Sequence, residues 1–474
     1  MVTATFTFDD VAQGLSHAGL PQLYFNQLHL VRQHIQLCQH QNIHAITATT
    51  KLTRRKLLLQ PDWNEWESAE FKQLDSYEKQ QMFGTPVFPP PGAAIFYWVW
   101  IYSIKTHEND CKKARAVCDG STRGSLSVIH GQTFAPTPDM VDFRLQLALS
   151  AVFGLQLFCA DVGNAFSEAT APKQQYYMRV DAQFANWWTN RRPEQLLQPR
   201  MVIPIEKNLQ GHPEAPRQWS LHIDHLLCNV FKFTPTTHAL CLYCGTFNDS
   251  LVIFLRQVDD FLVACHNIDI YNQLCNKLDE HLTIPITWHG LLTHFNGLDI
   301  DQTATHITVS VKKYLQEVFL SHGWDNINPR PLPMSADNNY MKSLDSATPL
   351  SYDNLRHTET RRFRYRTGVG ELIWPMVCAQ PDIAFPVVKL SQFCTQPAAA
   401  HFDAVYHVFQ YLFDKQHFGI TYTRPKPLSD LPQSPPPPRL ADISDSAYDH
   451  YLPQNHSQLM AYSDSDWAMD IRHR

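Results

Sequence analysis

The sequence is short of everything that would send it to a membrane or out of a cell. No apolar run reaches the roughly 18 residues a membrane span needs, and the N-terminus lacks a charged stretch followed by an apolar one. Membrane insertion and secretion are therefore not expected, and an intracellular location is. The eleven cysteines follow no regular spacing, which excludes the disulfide framework of a small secreted domain and predicts reduced thiols. There is no internal repeat of useful strength, which excludes solenoids and propellers. Positive charge is also not in excess. The 39 Lys and Arg against 45 Asp and Glu leave a net charge of -6, which speaks against nucleic acid as a partner unless basic groups gather locally.

What is present describes a large folded protein. A chain of 474 residues with 44% hydrophobic, 12% aromatic and 18% charged residues can bury a core and suggests two to four domains or subdomains. Basic runs occur at Lys51 to Lys56, at Lys112-Lys113-Ala114-Arg115 and at Arg361-Arg362-Phe363-Arg364; each reads equally as a phosphate patch or as a solvated charge run. The one C-x-x-C, Cys241 and Cys244, lacks a second pair to complete a zinc site and reads as buried strand. The cluster His34, Cys38, His40, His44 has ligand-like residues but lies in a Gln/His-rich polar stretch.

Residues 1–50 carry no clear motif. After Pro61, the run Asp62 to Phe71 begins an amphipathic helix, with Trp63, Trp66 and Phe71 near one face. The aromatic and β-branched run Ala93 to Ile104 predicts a strand, and Asp119 to Gly131 a loop. Further on, Leu155 to Ala160 reads as strand, Trp219 to Phe231 as helix, and Leu251 to Leu255 with Phe261 to Cys265 as paired strands. The pattern is α+β. A helical region at about 350–415 precedes a Pro-rich spacer with Pro435 to Pro438.

The most specific local feature is Leu255-Arg256-Gln257-Val258-Asp259-Asp260-Phe261, a hairpin with two acids at its tip between apolar runs. Adjacent carboxylates repel and lose solvation beside a hydrophobic sheet, so a cation favours them. Mg²⁺ fits, because it takes oxygen ligands and is held by one or two carboxylates together with substrate phosphates. Alone the pair could be a surface turn. A second acid at a strand end, Asp161 in Leu157-Phe158-Cys159-Ala160-Asp161-Val162, lets three carboxylates converge.

The order Asp161-Val162-Gly163-Asn164-Ala165-Phe166, then Leu209-Gln210-Gly211, then Val258-Asp259-Asp260 resembles the palm motifs of reverse transcriptases. Several segments are similar to the Copia-type branch of LTR retrotransposons: Lys113-Ala114-Arg115, Gln132 to Pro136, Arg144-Leu145, and Ala215-Pro216-Arg217-Gln218-Trp219. So are Phe295-Asn296-Gly297-Leu298, Gly368 to Pro375, Gln380 to Ile383 and Lys389 to Phe393. Two departures stand out. Gln257 occupies the place of the family's usual Tyr, and Gln210-Gly211-His212-Pro213-Glu214 replaces its Tyr-Gly-Leu-Lys-Gln.

The resemblance implies a right-hand polymerase with fingers and palm over 51–330 and a helical thumb and connection region over 331–424. A spacer would follow over 425–458, and the start of an RNase H domain over 459–474. It implies an RNA-directed DNA polymerase, a nucleotidyltransferase acting on an RNA template, a DNA primer and dNTPs, in the cytoplasm (in a virus-like particle) or the nucleus. Two Mg²⁺ ions, or Mn²⁺ in their place, would be held by Asp161, Asp259, Asp260 and the carbonyl of Val162. Lys113, Arg115, Gln210 and Gly211 would bind the nucleotide, with Phe166 as a gate under its sugar. Phe295 and Gly297 would lie in the turn that grips the primer end, and Asp464 would be a vestigial RNase H ligand. The rival reading is a degenerate remnant that keeps the fold and binds nucleic acid.

Overall fold

In the computed structural model, residues 53–105, 111–121, 133–169 and 174–433 are described. The segments at 1–50 and 459–474, with the cluster around His34 and with Asp464, lie outside them, as does the Pro-rich spacer from 434 on.

After a single helical turn at Arg54–Leu57, the described residues run through helix α1 (Trp63–Lys79) and strands β1 (Ala94–Phe96), β2 (Trp98–Lys105) and β3 (Cys111–Cys118). The predicted single strand at 93–104 is thus two. The break falls at Tyr97, whose side chain is exposed: β1 turns away to join another sheet while β2 pairs antiparallel with β3. The inward face of this ribbon, with Trp100, Tyr102, Ala114 and Ala116, packs on Trp66 and Tyr77 of α1. Two of the basic runs are partly absorbed here. Arg54 pairs with the fully buried Glu70, and Lys112 pairs with Asp62 and Glu65. The third behaves alike, since Arg362 pairs with Asp403.

Next come α2 (Met140–Val152), β4 (Gln156–Asp161), β5 (Tyr176–Arg179), α3 (Ala182–Arg191), β6 (Val202–Ile205) and α4 (Ala215–His225). Asp139 caps α2 by accepting from the Val141 and Asp142 amides. β1, β5 and β6 form a small sheet on α1 and α3. The helix expected at Trp219 to Phe231 starts earlier, at Ala215, because Pro216 is tolerated in a first turn whose N–H groups have no partner. It loosens into a π turn over Leu226–Val230.

The centre of the molecule is a six-stranded antiparallel sheet. Its strands are β4 together with β7 (Thr234–Pro235), β8 (Leu242–Phe247), β9 (Ser250–Gln257), β10 (Asp260–Cys265) and, after helix α5 (Ile268–Asp279), β11 (Thr287–Leu291). The order is β11-β4-β10-β9-β8-β7. Alternation divides its side chains between two cores. Phe158, Ala160, Phe254, Phe261 and Val263 pack on α4 and α5, while Leu157, Ile253, Leu255, Leu262 and Ala264 face α2 and the C-terminal helices. In the C-x-x-C, Cys241 is buried just ahead of β8 but Cys244 lies on its exposed face, so only half of the buried-strand reading holds.

A four-stranded antiparallel sheet follows, made of β12 (His294–Phe295), β13 (Leu298–Gln302), β14 (His306–Ser310) and, from the far end of the chain, β15 (Gly419–Thr423). Between β14 and β15 run α6 (Lys312–Ser321), α7 (Asn338–Asp345), α8 (Tyr352–Arg361), α9 (Tyr365–Cys378), α10 (Ala384–Ser391) and α11 (Ala399–Lys415). This matches the helical region expected at 350–415. No helix among the described residues is long and apolar enough to cross a membrane.

Arg424, at the end of β15, ties the two parts together. Its buried guanidinium donates to the carbonyls of Thr303, Ser150 and Leu155 at 3.2, 3.3 and 2.8 Å. Burial without a counter-ion pushes its pKa down to about 10. Two of those carbonyls flank the end of α2 and the residue before β4, so the C-terminal strand fixes where the central strand begins. Arg424→Ala should strip the Thr303 and Leu155 carbonyls of this donor above a cavity, while the Ser150 carbonyl keeps the Leu155 N–H, and lower unfolding free energy in urea by about 3 kcal/mol. A loss under about 0.5 kcal/mol would contradict that role.

Candidate active site at the central hairpin

The three acids expected to act together do share one sheet end. Asp260 is the first residue of β10 and pairs directly opposite Asp161 on β4 and Gln257 on β9, and Thr287 of β11 lies opposite Asp161 on the other side. One face of the sheet therefore carries the row Thr287, Asp161, Asp260, Gln257. Cβ atoms directly opposite in such a pair are about 4.5–5.5 Å apart, close enough for the carboxylates to act on each other. Asp259 is not a strand residue. It stands in the two-residue loop Val258-Asp259, where Val258 has φ +59° and Asp259 does not share a positive φ. This is the pattern of a type II′ turn, whose first loop position normally takes Gly. A β-branched residue there is strained by on the order of 1–3 kcal/mol. Two hydrogen bonds hold the loop: Trp219 Nε1 donates to the Val258 carbonyl at 2.6 Å, and the Val162 N–H donates to the Asp259 carbonyl at 3.0 Å.

The electrostatics are those of crowded acids. Burial, then Asp259 and Asp161, push the Asp260 carboxyl up to about 7. Asp259 is also raised, first by burial and then by Asp161, with Arg115 and Lys113 pulling in the opposite direction. The half-exposed thiol of Cys159, two residues before Asp161 on the same face, is pushed up to about 11 by burial and by Asp260. Among the described residues no three His, Cys, Asp or Glu side chains are already gathered in metal-ligand geometry. The donor set is nevertheless all carboxylate, close in space and short of positive charge, which is what a hard divalent cation supplies.

The remaining expected residues lie on several elements. Lys113 and Arg115 lie on the outward face of the β2–β3 ribbon, near enough to Asp259 to act on its charge. Gln210 is exposed, with its carbonyl accepting from the Cys118 N–H at 2.7 Å. Gly211 has φ +92°, and a Cβ there would meet the Cys118 carbonyl oxygen at 2.1 Å, so only Gly allows this loop to lie on β3. Phe166 is half-buried in a 3-10 turn (Ala165–Glu168) beside the central core. The preceding Asn164 bonds to Ser76 and Gln80 of α1. Val162 is wholly buried. The ring of Phe295 is buried against Phe143, 5.3 Å between centroids, so the exposed part of that hairpin is Asn296-Gly297, both at positive φ.

Two residues were not assigned roles from sequence. Gln257 had stood only as a departure from a motif, yet a two-residue loop after it fixes its place opposite Asp260. It also opens on a small recess shared with Asp139, Phe143 and Asn296. Trp219 was part of a signature without a function, and only coordinates reveal where its indole N–H points.

The model of the family described as reverse transcriptase (RNA-dependent DNA polymerase) matches residues 89–336. The chain is 25% identical over 365 residues to the retrovirus-related Pol polyprotein from transposon TNT 1-94 of Nicotiana tabacum, covering 76% of this chain and 26% of that one. It is 24% identical over 409 residues to the corresponding polyprotein from transposon RE1 of Arabidopsis thaliana, covering 85% and 24%. The chain thus spans about a quarter of the length of these relatives. Among solved structures, the foamy viral protease-reverse transcriptase in complex with double-stranded DNA aligns over 75% of this chain and 49% of that one, with a TM-score of 0.38 and 12% identity.

The crowding has a measurable consequence. The Asp260 carboxyl keeps its proton up to about pH 7 in the native state, against a usual value of 3.8, so the metal-free fold loses stability as pH rises between the two. Asp260→Asn should be neutral near pH 4 and stabilising by about 1–2 kcal/mol at pH 8 in EDTA, allowing for solvent screening. A stability difference that does not change between pH 4 and pH 8 would remove the electrostatic assignment.

Proposed function

From the premise that the chain belongs to the Copia-type reverse transcriptase family and is the reverse transcriptase domain of a retrotransposon polyprotein, we propose that it adds deoxynucleotides to a DNA primer on an RNA template. The observation that carries this reading is the register that sets Asp161 opposite Asp260 with Asp259 in the adjoining turn. Asp161, Asp259 and Asp260, with the Val162 carbonyl as a further oxygen, would hold two Mg²⁺ ions. Mn²⁺ would occupy the same oxygen ligands. When bound, the ions lower the cost of ionising the primer 3′-hydroxyl and neutralise the leaving group.

The chain's own residues do the rest. The primer hydroxyl attacks the α-phosphorus of a dNTP, the bond to the β-phosphate oxygen breaks, and pyrophosphate leaves. Lys113 and Arg115, on the ribbon face that acts on Asp259, draw the triphosphate against the acids and offset its charge. The exposed Gln210 beside Gly211 borders the nucleotide, and Phe166 packs under its sugar. The turn at Phe295 to Gly297 contacts the primer end through its exposed Asn296-Gly297 backbone. Positioning dominates such a reaction, because a displaced attacking oxygen forfeits the gain from proximity.

Purified protein with an RNA template, a DNA primer and Mg²⁺ should extend the primer, and absence of extension would favour the remnant that keeps the fold alone. Asp259→Asn should reduce incorporation on the order of a thousandfold with its melting curve intact; near-normal extension would sink the assignment of the acids. Phe166→Val should narrow the preference for dNTP over rNTP by about tenfold to a hundredfold in single-nucleotide addition, and unchanged discrimination would exclude a gate there.

A further inference from the structure

The loop that presents Asp259 is in a conformation its own sequence disfavours. Val258, branched at Cβ, sits at φ +59°, where L side chains with a branched Cβ are rarely found. Left to local preference, the loop would relax and swing the Asp259 backbone off the end of the sheet. Of the two hydrogen bonds that oppose this, one is made by the strand that carries Asp161, through the Val162 N–H. The other reaches in from outside the sheet: the indole N–H of Trp219, a residue only 1% exposed, meets the Val258 carbonyl at 2.6 Å.

Trp219 is itself firmly placed. It lies on α4 between the buried Ala215 and Ile223, packs in the core under the central sheet, and stacks on His222 at 5.8 Å. The loop before α4 is tied to β3, since the Cys118 N–H donates to the Gln210 carbonyl and Gly211 lies against Cys118. Packing alone would be served by any large ring at 219. What packing does not explain is an indole N–H aimed at the one strained carbonyl of the turn. We propose that Trp219 is the positioning residue of this site: its N–H holds the Val258-Asp259 loop in the strained turn and so keeps the Asp259 carboxylate at the row of acids. The kinetic part of the test rests on the proposed polymerase reaction; the exchange part does not.

Trp219→Phe keeps the ring and removes the donor. In primer extension it should lower kcat about tenfold, the size of one lost hydrogen bond, with KM for dNTP and for primer-template unchanged. Hydrogen exchange at the Val162 amide should quicken by a similar factor while amides of α5 keep their protection. The decisive arm is the double variant. Val258→Gly makes the positive φ easy to adopt, so adding Trp219→Phe to it should cost less than about twofold in kcat and in Val162 exchange. Should Trp219→Phe fold poorly, a tryptophan analogue with sulfur in place of the indole N–H preserves the volume and gives the same comparison. An equal penalty with and without Val258→Gly would reduce Trp219 to packing, and wild-type exchange at Val162 in Trp219→Phe would overturn the proposal outright. If the wild-type chain fails to extend primers, the proposed function falls while the exchange result still decides the role of Trp219.

Discussion

The pairing of β10 with β4 is the constraint on which the rest depends. Asp260 stands opposite Asp161 only in the observed register, and a slip of one residue would turn Asp260 to the other face of the sheet. Side-chain sizes penalise that slip only modestly, because both faces of the sheet are buried and apolar over most of their length. Buried amides add to the penalty in a directional way. Gln146 of α2 donates to the carbonyls of Ile253 and Leu262, reading β9 and β10 at once. Gln302 of β13 grips both backbone groups of Leu157 and also the Leu292 carbonyl, continuing the pairing of β4 where β11 ends. A shifted strand would leave those amides without partners in a dry interior, at about 1–3 kcal/mol each.

The net negative charge of the chain is compatible with a phosphate-binding cleft because the basic residues are divided by role rather than by number. Arg54, Lys112 and Arg362 are committed to Glu70, Asp62 with Glu65, and Asp403, so much of what reads as a basic patch is structural. Lys113 and Arg115 differ from Lys112 by strand parity: they point to the other face of the ribbon, the face that acts on Asp259. Two cations placed against a row of acids matter more than a global count, since the field near the cleft is set by the nearest charges and screened beyond about 10 Å.

Much of this was legible in the sequence, and the unread part has a common cause. The hairpin at Leu251 to Cys265, the strand ending in Asp161, the α+β pattern and the C-terminal helices all follow from local periodicity and turn chemistry, and the structure has them within a few residues. The family was readable from short motifs in order along the chain. What sequence did not reveal are facts about direction and partner: that the run at 93–104 divides at Tyr97 between two sheets, that the ring of Phe295 turns inward onto Phe143, and that α4 begins at Ala215. The first two are decided by residues more than 20 positions away, in β5 and at Phe143, and the third by Pro216 being tolerated in a first turn. Asp259 and Asp260 illustrate the boundary within a single motif. Sequence puts both at a hairpin tip, but only the pairing tells that one is a strand residue in the row of acids and the other belongs to a strained loop.

Strain and charge at this hairpin are two sides of one arrangement. Asp161 and Asp260 are already opposed on neighbouring strands, and burial, then Asp259, then Asp161 raise Asp260 well above its usual range. A third strand-borne acid next to Asp260 would point to the opposite face, into the core with Phe261's neighbours, because side chains alternate. Bringing Asp259 to the acids therefore requires that the strand stop and the chain turn between Gln257 and Asp260, and a loop of only two residues leaves the first of them at positive φ. Gly at 258 would relieve that torsion. Val258 gives up local comfort for a partly buried side chain packed on the core under the sheet, and the loop is then held by hydrogen bonds from Val162 and Trp219. A rigid, repulsive cluster of acids is unfavourable without a neutralising cation, and a cation held there would require little reorganisation.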